Sequence, residues 1–459
     1  MSSQTNKVQP SQPRIALVCD WLTAPGGAEK VLLELHRMYP DAPIYTSQYS
    51  KKGLDWFKDA TVKTGWLQIF PKSLRKFLGP LRQLYFSHLD LSEYDFVISV
   101  TGAEAKSVRT RPKTKKTHPN LSLYHTSGKK SIDSIHRGAY HLCYCHVPTQ
   151  YYWQMYDKYI ENPGFGPLNP IVRFFFKLLV KPLRKADFKA AQRPNQFITI
   201  SHYAADQIQK YYHRESVIIA PPVEISKFNH FSAKPKSFST KKGELSTETP
   251  DLSTVFPPKK GSYPPKPQTF PQYHYQSDHP DLPPQIICPQ PPQYYIIACR
   301  QVTWKRVDLA IEACLKAEAP LLVVGDGPER TRLVKLAADS PLIKFLPWTK
   351  SNELAIYLQN AKAYLFPSLE PFGIAAVEAL AAGCPVIAYQ DGGSRDFIQN
   401  GKNGLLFAEQ TPTSLAEAIT RFQTLHFDRA KISHTADSFS VDHFRQGMSK
   451  LIQSKERTS

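Results

Sequence analysis

At 459 residues the chain exceeds one ordinary domain, and two or three are expected. Its 58 Lys and Arg against 39 Asp and Glu give a formal charge of +19, which points to a partner carrying phosphate: nucleic acid, anionic lipid or a nucleotide. The longest apolar runs, such as FFF at 174–176 and LLVV at 321–324, fall far short of the roughly 18 residues of a membrane span and exclude a transmembrane protein. The polar start MSSQTNKVQPSQPR lacks the apolar stretch of a secretory signal. An odd set of 7 scattered cysteines fits reduced thiols in a cytoplasm better than a disulfide framework. Cys143 and Cys145 share one face of a strand, but no second Cys/His pair stands at ligand spacing, so no metal site is expected.

In chain order, RIALVC at 14–19 is a short apolar run stopped by Asp20. The Gly26-Gly27 turn follows, and AEKVLLELHRMYP then spaces its apolar residues as a helix does, which together open a βαβ unit. Further strands are predicted at 42–46, 94–100, 141–146 and 196–201, with a helix over 204–212. Strands alternating with helices imply a parallel, doubly wound sheet. The stretch 230–292 holds 14 of the 39 prolines among Ser, Thr, Lys and Gln, and reads as a disordered insert that buries too little apolar surface to offset its ordering entropy. Alternation then resumes with strands at 295–298, 320–324, 343–346, 363–366 and 385–388 and helices at 307–317, 330–338, 353–359 and 374–382. The predicted division is 14–229, an N-terminal Rossmann-like domain on the acceptor side; 230–292, the insert; 293–430, a C-terminal nucleotide-sugar domain; and 431–459, a helical tail returning toward the first. The fold class is α/β, with two Rossmann-like parallel-sheet domains facing a cleft. A second basic stretch, 111–137, reads as a surface loop.

The most informative segment is FPSLEPFGIAAVEALAAGCPVIA, residues 366–388. A strand ends at Phe366, a loop delivers Glu370, Phe372 and Gly373, and a helix begins near Ile374 with Glu378 one turn in. The first N–H groups of such a helix favour a phosphate or a sugar hydroxyl. Glu-x7-Glu in this setting resembles the signature of family 4 retaining glycosyltransferases, which have the GT-B arrangement. Residues 14–47, 144–153 (YCHVPTQYYW), 197–228 and 300–407 also resemble, in order, stretches of the bacterial mannosyltransferases that build surface polysaccharides.

The resemblance implies roles. Glu370 would lie against the donor sugar, as a stabiliser rather than a nucleophile, with the backbone of Phe372, Gly373 and Ile374 beside it. Glu378 would bind ribose hydroxyls. Arg300 and Lys305 would grip the diphosphate, stabilising leaving-group charge without a metal or other cofactor. Gly26 and Gly27 would form the glycine turn toward the diphosphate, and His146 would contact donor sugar or acceptor; Asp20 is a weaker match. The implied reaction moves mannose from GDP-mannose, or a sugar from a UDP donor, to a lipid-linked glycan, in the cytoplasm at the inner face of the membrane.

Blander readings stand beside these. His146 fits a core histidine, Gly26-Gly27 a plain tight turn, and the two glutamates solvated positions. The basic-apolar segments 66–82 and 171–185 suit either an interfacial helix on anionic lipid or a core helix with one cationic side. A nucleic-acid-binding protein would show zinc or aromatic-interleaved motifs, and none is present; the intact Glu370, Glu378, Arg300 and Lys305 argue against a non-catalytic scaffold.

Overall fold

The computed structural model describes residues 13–71, 78–111, 138–161, 166, 169–229 and 294–456. The proline-rich stretch 230–292 and nearly all of the basic stretch 111–137 lie outside the described residues. The described chain forms two compact domains, one from residues up to Pro222 together with Val441 onward, the other from Val223 to Ser440.

The first domain is a seven-stranded sheet in the order β3-β2-β1-β4-β5-β6-β7. Its strands are β1 (Ile15–Cys19), β2 (Ile44–Thr46), β3 (Val62–Thr64), β4 (Phe96–Thr101), β5 (Tyr140–Cys145), β6 (Gln196–Thr199) and β7 (Ser216–Ile218). Every pairing is parallel. β1 and β4 are buried along their whole length, which is why β1 reads as an unbroken apolar run and β4 as one interrupted only by the small hydroxyls of Ser99 and Thr101, rather than as alternation. The helices are α1 (Gly27–Met38), α2 (Gly79–His88), α3 (Tyr156–Glu161), α4 (Asn169–Ala191) and α5 (His202–Tyr212). Ser201 caps α5 through its hydroxyl, which accepts from the Ala204 N–H.

The second domain is a six-stranded parallel sheet in the order β10-β9-β8-β11-β12-β13. It comprises β8 (Tyr294–Ala298), β9 (Leu321–Val324), β10 (Ile343–Leu346), β11 (Ala361–Phe366), β12 (Val386–Tyr389) and β13 (Gly404–Phe407). Its helices are α6 (Val307–Lys316), α7 (Arg330–Leu336), α8 (Ser351–Gln359), α9 (Ile374–Ala381), α10 (Pro412–Phe422) and α11 (Arg429–Thr435). Leu309, Ile311, Leu321, Val323, Leu365 and Ile387 meet in one core between sheet and helices.

The domain boundaries differ from those drawn on composition. Val223 donates its N–H to the Phe439 carbonyl, and the Phe228 carbonyl accepts from the Gln359 amide, so 223–229 belongs with the second domain. At the other end α11 stays in the second domain, where the Ser433 hydroxyl donates to the Ala381 carbonyl. Only α12 (Val441–Glu456) packs on the first: Arg445 Nε lies 2.5 Å from the buried Glu34 carboxylate of α1, and Phe444 meets Tyr144 edge-on at 5.9 Å.

Candidate active site

In each sheet the strand order reverses once, between β1 and β4 in the first domain and between β8 and β11 in the second. Open parallel sheets bind ligands outside the carboxyl ends of the strands at such a reversal. The sequence-singled residues of the second domain leave the carboxyl ends of β8 and β11.

Beyond β8, Cys299 and an exposed Arg300 lead into a single 3-10 turn, Thr303–Lys305. Beyond β11 the loop carries Ser368 and Glu370. The two loops join there: Lys305 Nζ lies 2.5 Å from Glu370 Oε1, and the buried Ser368 hydroxyl donates to the same oxygen at 2.7 Å. The side chains of the pair are 24% and 20% exposed, so water still reaches both. Glu378 is half-buried on α9, near enough to Tyr364 to act on its phenol. That phenol donates to the Ala298 carbonyl at 2.9 Å, and it is raised well above its ordinary value by burial, then by the nearby thiol of Cys299 and the carboxylates Glu370 and Glu378. Burial likewise pushes the Cys299 thiol up to about 12, against the opposing charge of Lys305, which keeps it neutral.

Close approaches at glycines constrain the loop from Glu370 to α9. Gly373 adopts φ +123, and a Cβ there would stand 2.7 Å from the Phe366 ring. Gly392, at φ +90, lets the next loop approach until an added Cβ would be 2.5 Å from the Glu370 carbonyl, and the Gly393 N–H donates to that carbonyl at 2.8 Å. Phe372 is buried and packs against Phe397 and Phe439, so its side chain anchors the loop. No side chain caps α9, which begins at Ile374; the Ala376 N–H donates to the Gly373 carbonyl at 3.0 Å, and the N–H groups of Ile374 and Ala375 have no side-chain cap.

In the first domain, Gly26 precedes α1 in extended conformation and Gly27 opens the helix, again without a side-chain cap. Asp20, just past β1, is buried. Its carboxylate accepts from the Thr101 hydroxyl at 3.0 and 2.8 Å and from the N–H groups of Gly102 and Ala105 at 3.1 and 2.7 Å. It ties the carboxyl ends of β1 and β4 together. His146 follows β5; burial holds its imidazole down to about 4, so it is neutral at pH 7, and its Nε2 is buried without a partner among the described residues.

Sequence reasoning missed two buried ion pairs beside this turn. Arg82 Nε lies 2.9 Å from Glu104, which also accepts from the Tyr151 hydroxyl at 2.7 Å. Lys106 Nζ lies 2.6 Å from Asp187, whose carboxylate also accepts from Thr149, Trp153 and Tyr212 at 2.7–2.8 Å. Together they fix the 146–153 loop to the β4 turn. No spacing along the chain could show pairs 22 and 81 residues apart; the one signal was the charged Glu104 and Lys106 in the otherwise small-residue turn GAEAKS.

The two parallel-sheet α/β domains match GT-B glycosyltransferase structures. Similar solved structures include HepE of Anabaena in complex with UDP and glucose, at 17% identity and TM-score 0.57 over 96% of this chain and 100% of that one. Sucrose-phosphate synthase of Thermosynechococcus elongatus matches at 14% identity and TM-score 0.56 over 98% and 100%. Within that class, residues 280–438 match the family model for glycosyl transferases group 1. Among curated relatives, D-inositol 3-phosphate glycosyltransferase of Frankia alni is 42% identical over 102 residues, 21% of this chain and 25% of that protein. A putative colanic acid biosynthesis glycosyltransferase, WcaL of Salmonella typhimurium, is 27% identical over 190 residues, 38% and 47% of the two. The chain thus spans between a quarter and about half the length of these relatives.

Proposed function

We propose that the protein is a retaining glycosyltransferase that moves a sugar, mannose from GDP-mannose, to a lipid-linked glycan acceptor in surface polysaccharide synthesis, working in the cytoplasm at the inner face of the membrane. The observation that carries the reading is the Lys305–Glu370 pair at the strand-order reversal, beside the uncapped start of α9. In this reading the arriving diphosphate takes Lys305, and Arg300 joins it. Glu370 is released toward the sugar and Glu378 receives the ribose. The bond from the anomeric carbon to the phosphate oxygen breaks, the acceptor hydroxyl oxygen bonds to that carbon on the same face, and its proton passes to the departing phosphate. Arg300 and Lys305 stabilise the charge that grows on the leaving group, so no metal is invoked. In the first domain, His146 is assigned to the donor sugar or the acceptor and the Gly26-Gly27 turn to the diphosphate, and neutral His146 can accept or donate a hydrogen bond without adding charge.

A UDP-sugar donor is the second reading, favoured by the UDP and glucose bound to HepE. A thermal-shift screen of GDP-, UDP- and ADP-sugars decides between them, because a ligand at 100 times its Kd stabilises the fold by about 2.7 kcal/mol. A shift with UDP-sugars alone replaces mannose from GDP-mannose, and no shift with any donor removes the proposal.

A further inference from the structure

Helix α4 divides into a rooted half and a bare half. Toward its C-terminus, Val180, Asp187, Ala190 and Ala191 are buried, and Arg184 donates to the Tyr152 carbonyl at 2.6 Å beneath the rings of Trp153 and Tyr156. Toward its N-terminus, Ile171, Phe174, Phe175, Leu178 and Leu179 are between 44% and 66% exposed. At roughly 100° per residue these five side chains cover an arc of about 140° on the side away from Phe176 and Val180. A soluble helix ordinarily turns such an arc to the core; this one turns it to solvent, which removes the core-helix reading left open by the sequence. Exposed apolar surface of this extent marks an interaction site.

The charges identify the occupant. From 169 to 186 every ionisable side chain is a cation. Arg173 and Arg184 bond to protein carbonyls, whereas Lys177, Lys181 and Lys185 are exposed at four-residue spacing along one edge of the apolar arc. A second copy of the same face would bring like charges together, while an anionic bilayer offers acyl chains to the arc and phosphates to the lysines. Among the described residues no helix is long and apolar enough to cross a membrane. We infer that α4 is a docking element that lies in the interface of an anionic bilayer, with Phe174, Phe175 and Leu178 inserted and Lys177, Lys181 and Lys185 at the headgroups. This deepens the reading of a lipid-linked acceptor and rests on it only in making a bilayer useful to the enzyme.

Flotation of the full chain with phosphatidylcholine vesicles, with and without phosphatidylglycerol and without donor or acceptor, tests it. The chain should float with the anionic vesicles only, less so as salt rises. Phe174→Glu/Leu178→Glu should abolish flotation. Lys177→Ser, Lys181→Ser and Lys185→Ser should each weaken it about fivefold. All these positions are exposed, and unchanged melting temperatures show that the variants fold. Absence of flotation, equal flotation with neutral vesicles, or variants that float like the parent each overturn the inference. So does a dimer in solution that Phe174→Glu/Leu178→Glu dissociates while the parent ignores vesicles. Flotation without any donor-induced thermal shift would sink the transferase reading and leave this one standing; a donor shift without flotation would do the reverse.

Discussion

Glu370→Gln should act in opposite directions on binding and on turnover. The change keeps the side chain's shape and the acceptor for the Ser368 hydroxyl, and removes the charge that holds Lys305 at 2.5 Å. With both partners partly exposed, such a pair contributes about 1 kcal/mol. A nucleoside diphosphate binding the parent must displace that pairing; binding the variant, it meets an unpaired lysine. Its Kd should therefore tighten about fivefold, since 1.4 kcal/mol corresponds to a factor of ten. Turnover should fall about 100- to 1000-fold, because a fixed stabilising group is lost from the transition state. Lys305→Met should instead weaken both. Isothermal titration with GDP and UDP, read beside transfer rates at saturating donor, separates the cases. If Glu370→Gln weakens both nucleotides as Lys305→Met does, then Glu370 is not competing with phosphate for the lysine, and the exchange at the heart of the mechanism is wrong.

Three further outcomes follow from the packing. Lys106→Met leaves Asp187 charged and buried with only hydroxyl and indole partners, so urea unfolding should show a loss of about 3–5 kcal/mol, and a loss under 1 would mean that the pair is not what fixes the loop. Gly373→Ala places a Cβ 2.7 Å from the Phe366 ring at φ +123; it should cost at least about 1–3 kcal/mol and impair donor binding, and wild-type behaviour in both would deny the loop its rigidity. His141, buried on β5 with Nε2 2.8 Å from the Ser99 hydroxyl, is held down to about 3, by burial first and then by the Arg193 cation. The unfolded chain takes up a proton at about 6.5 that the folded chain refuses, so stability rises with pH between about 3 and 6.5, by at most about 1.4 kcal/mol per pH unit from this group. Denaturant titrations at about pH 6.5, 5.5 and 4.5, within that window, should show the slope, and His141→Asn should reduce it, leaving the share of His146, which burial also holds down; an unchanged slope would assign acid sensitivity elsewhere.

Central strands were legible in the sequence because a parallel sheet covered on both faces demands continuous apolar residues, as in IALVC of β1 and LLVV of β9. Edge strands β3 and β7, VKT and SVI, are short and partly exposed, carry no such run, and were not anticipated. Glu370 and Glu378 were legible because both sit on one local loop-and-helix segment. The Lys305–Glu370 contact was not, because it spans 65 residues and depends on β8 and β11 being neighbours in the sheet. The apolar content of α4 could be read directly, but not its direction: whether Phe174 and Leu178 face core or solvent is decided by Asp187, Arg184 and Phe176 taking the inner side.

The two sheets use the same topological position in different ways, and the difference supports placing the proposed donor at the second. At the reversal of the first sheet, Asp20 is saturated by one hydroxyl and two backbone N–H groups of the adjoining turn. Two of those donors are fixed in the main chain and the third is a short side chain on β4, so a substrate could replace them only by opening the turn between β4 and the Lys106 ion pair. At the reversal of the second sheet, Glu370 is held by a hydroxyl and by the end of a lysine side chain, a donor that can swing to another anion at the cost of a partly hydrated contact. Beside it α9 presents its first N–H groups uncapped. A site that must bind and release a dianion in each cycle needs exchangeable partners of this kind, and of the two positions only the second has them among the described residues. The buried carboxylate of the first sheet therefore builds the fold, and in the proposed reading the paired carboxylate of the second is the one that meets phosphate.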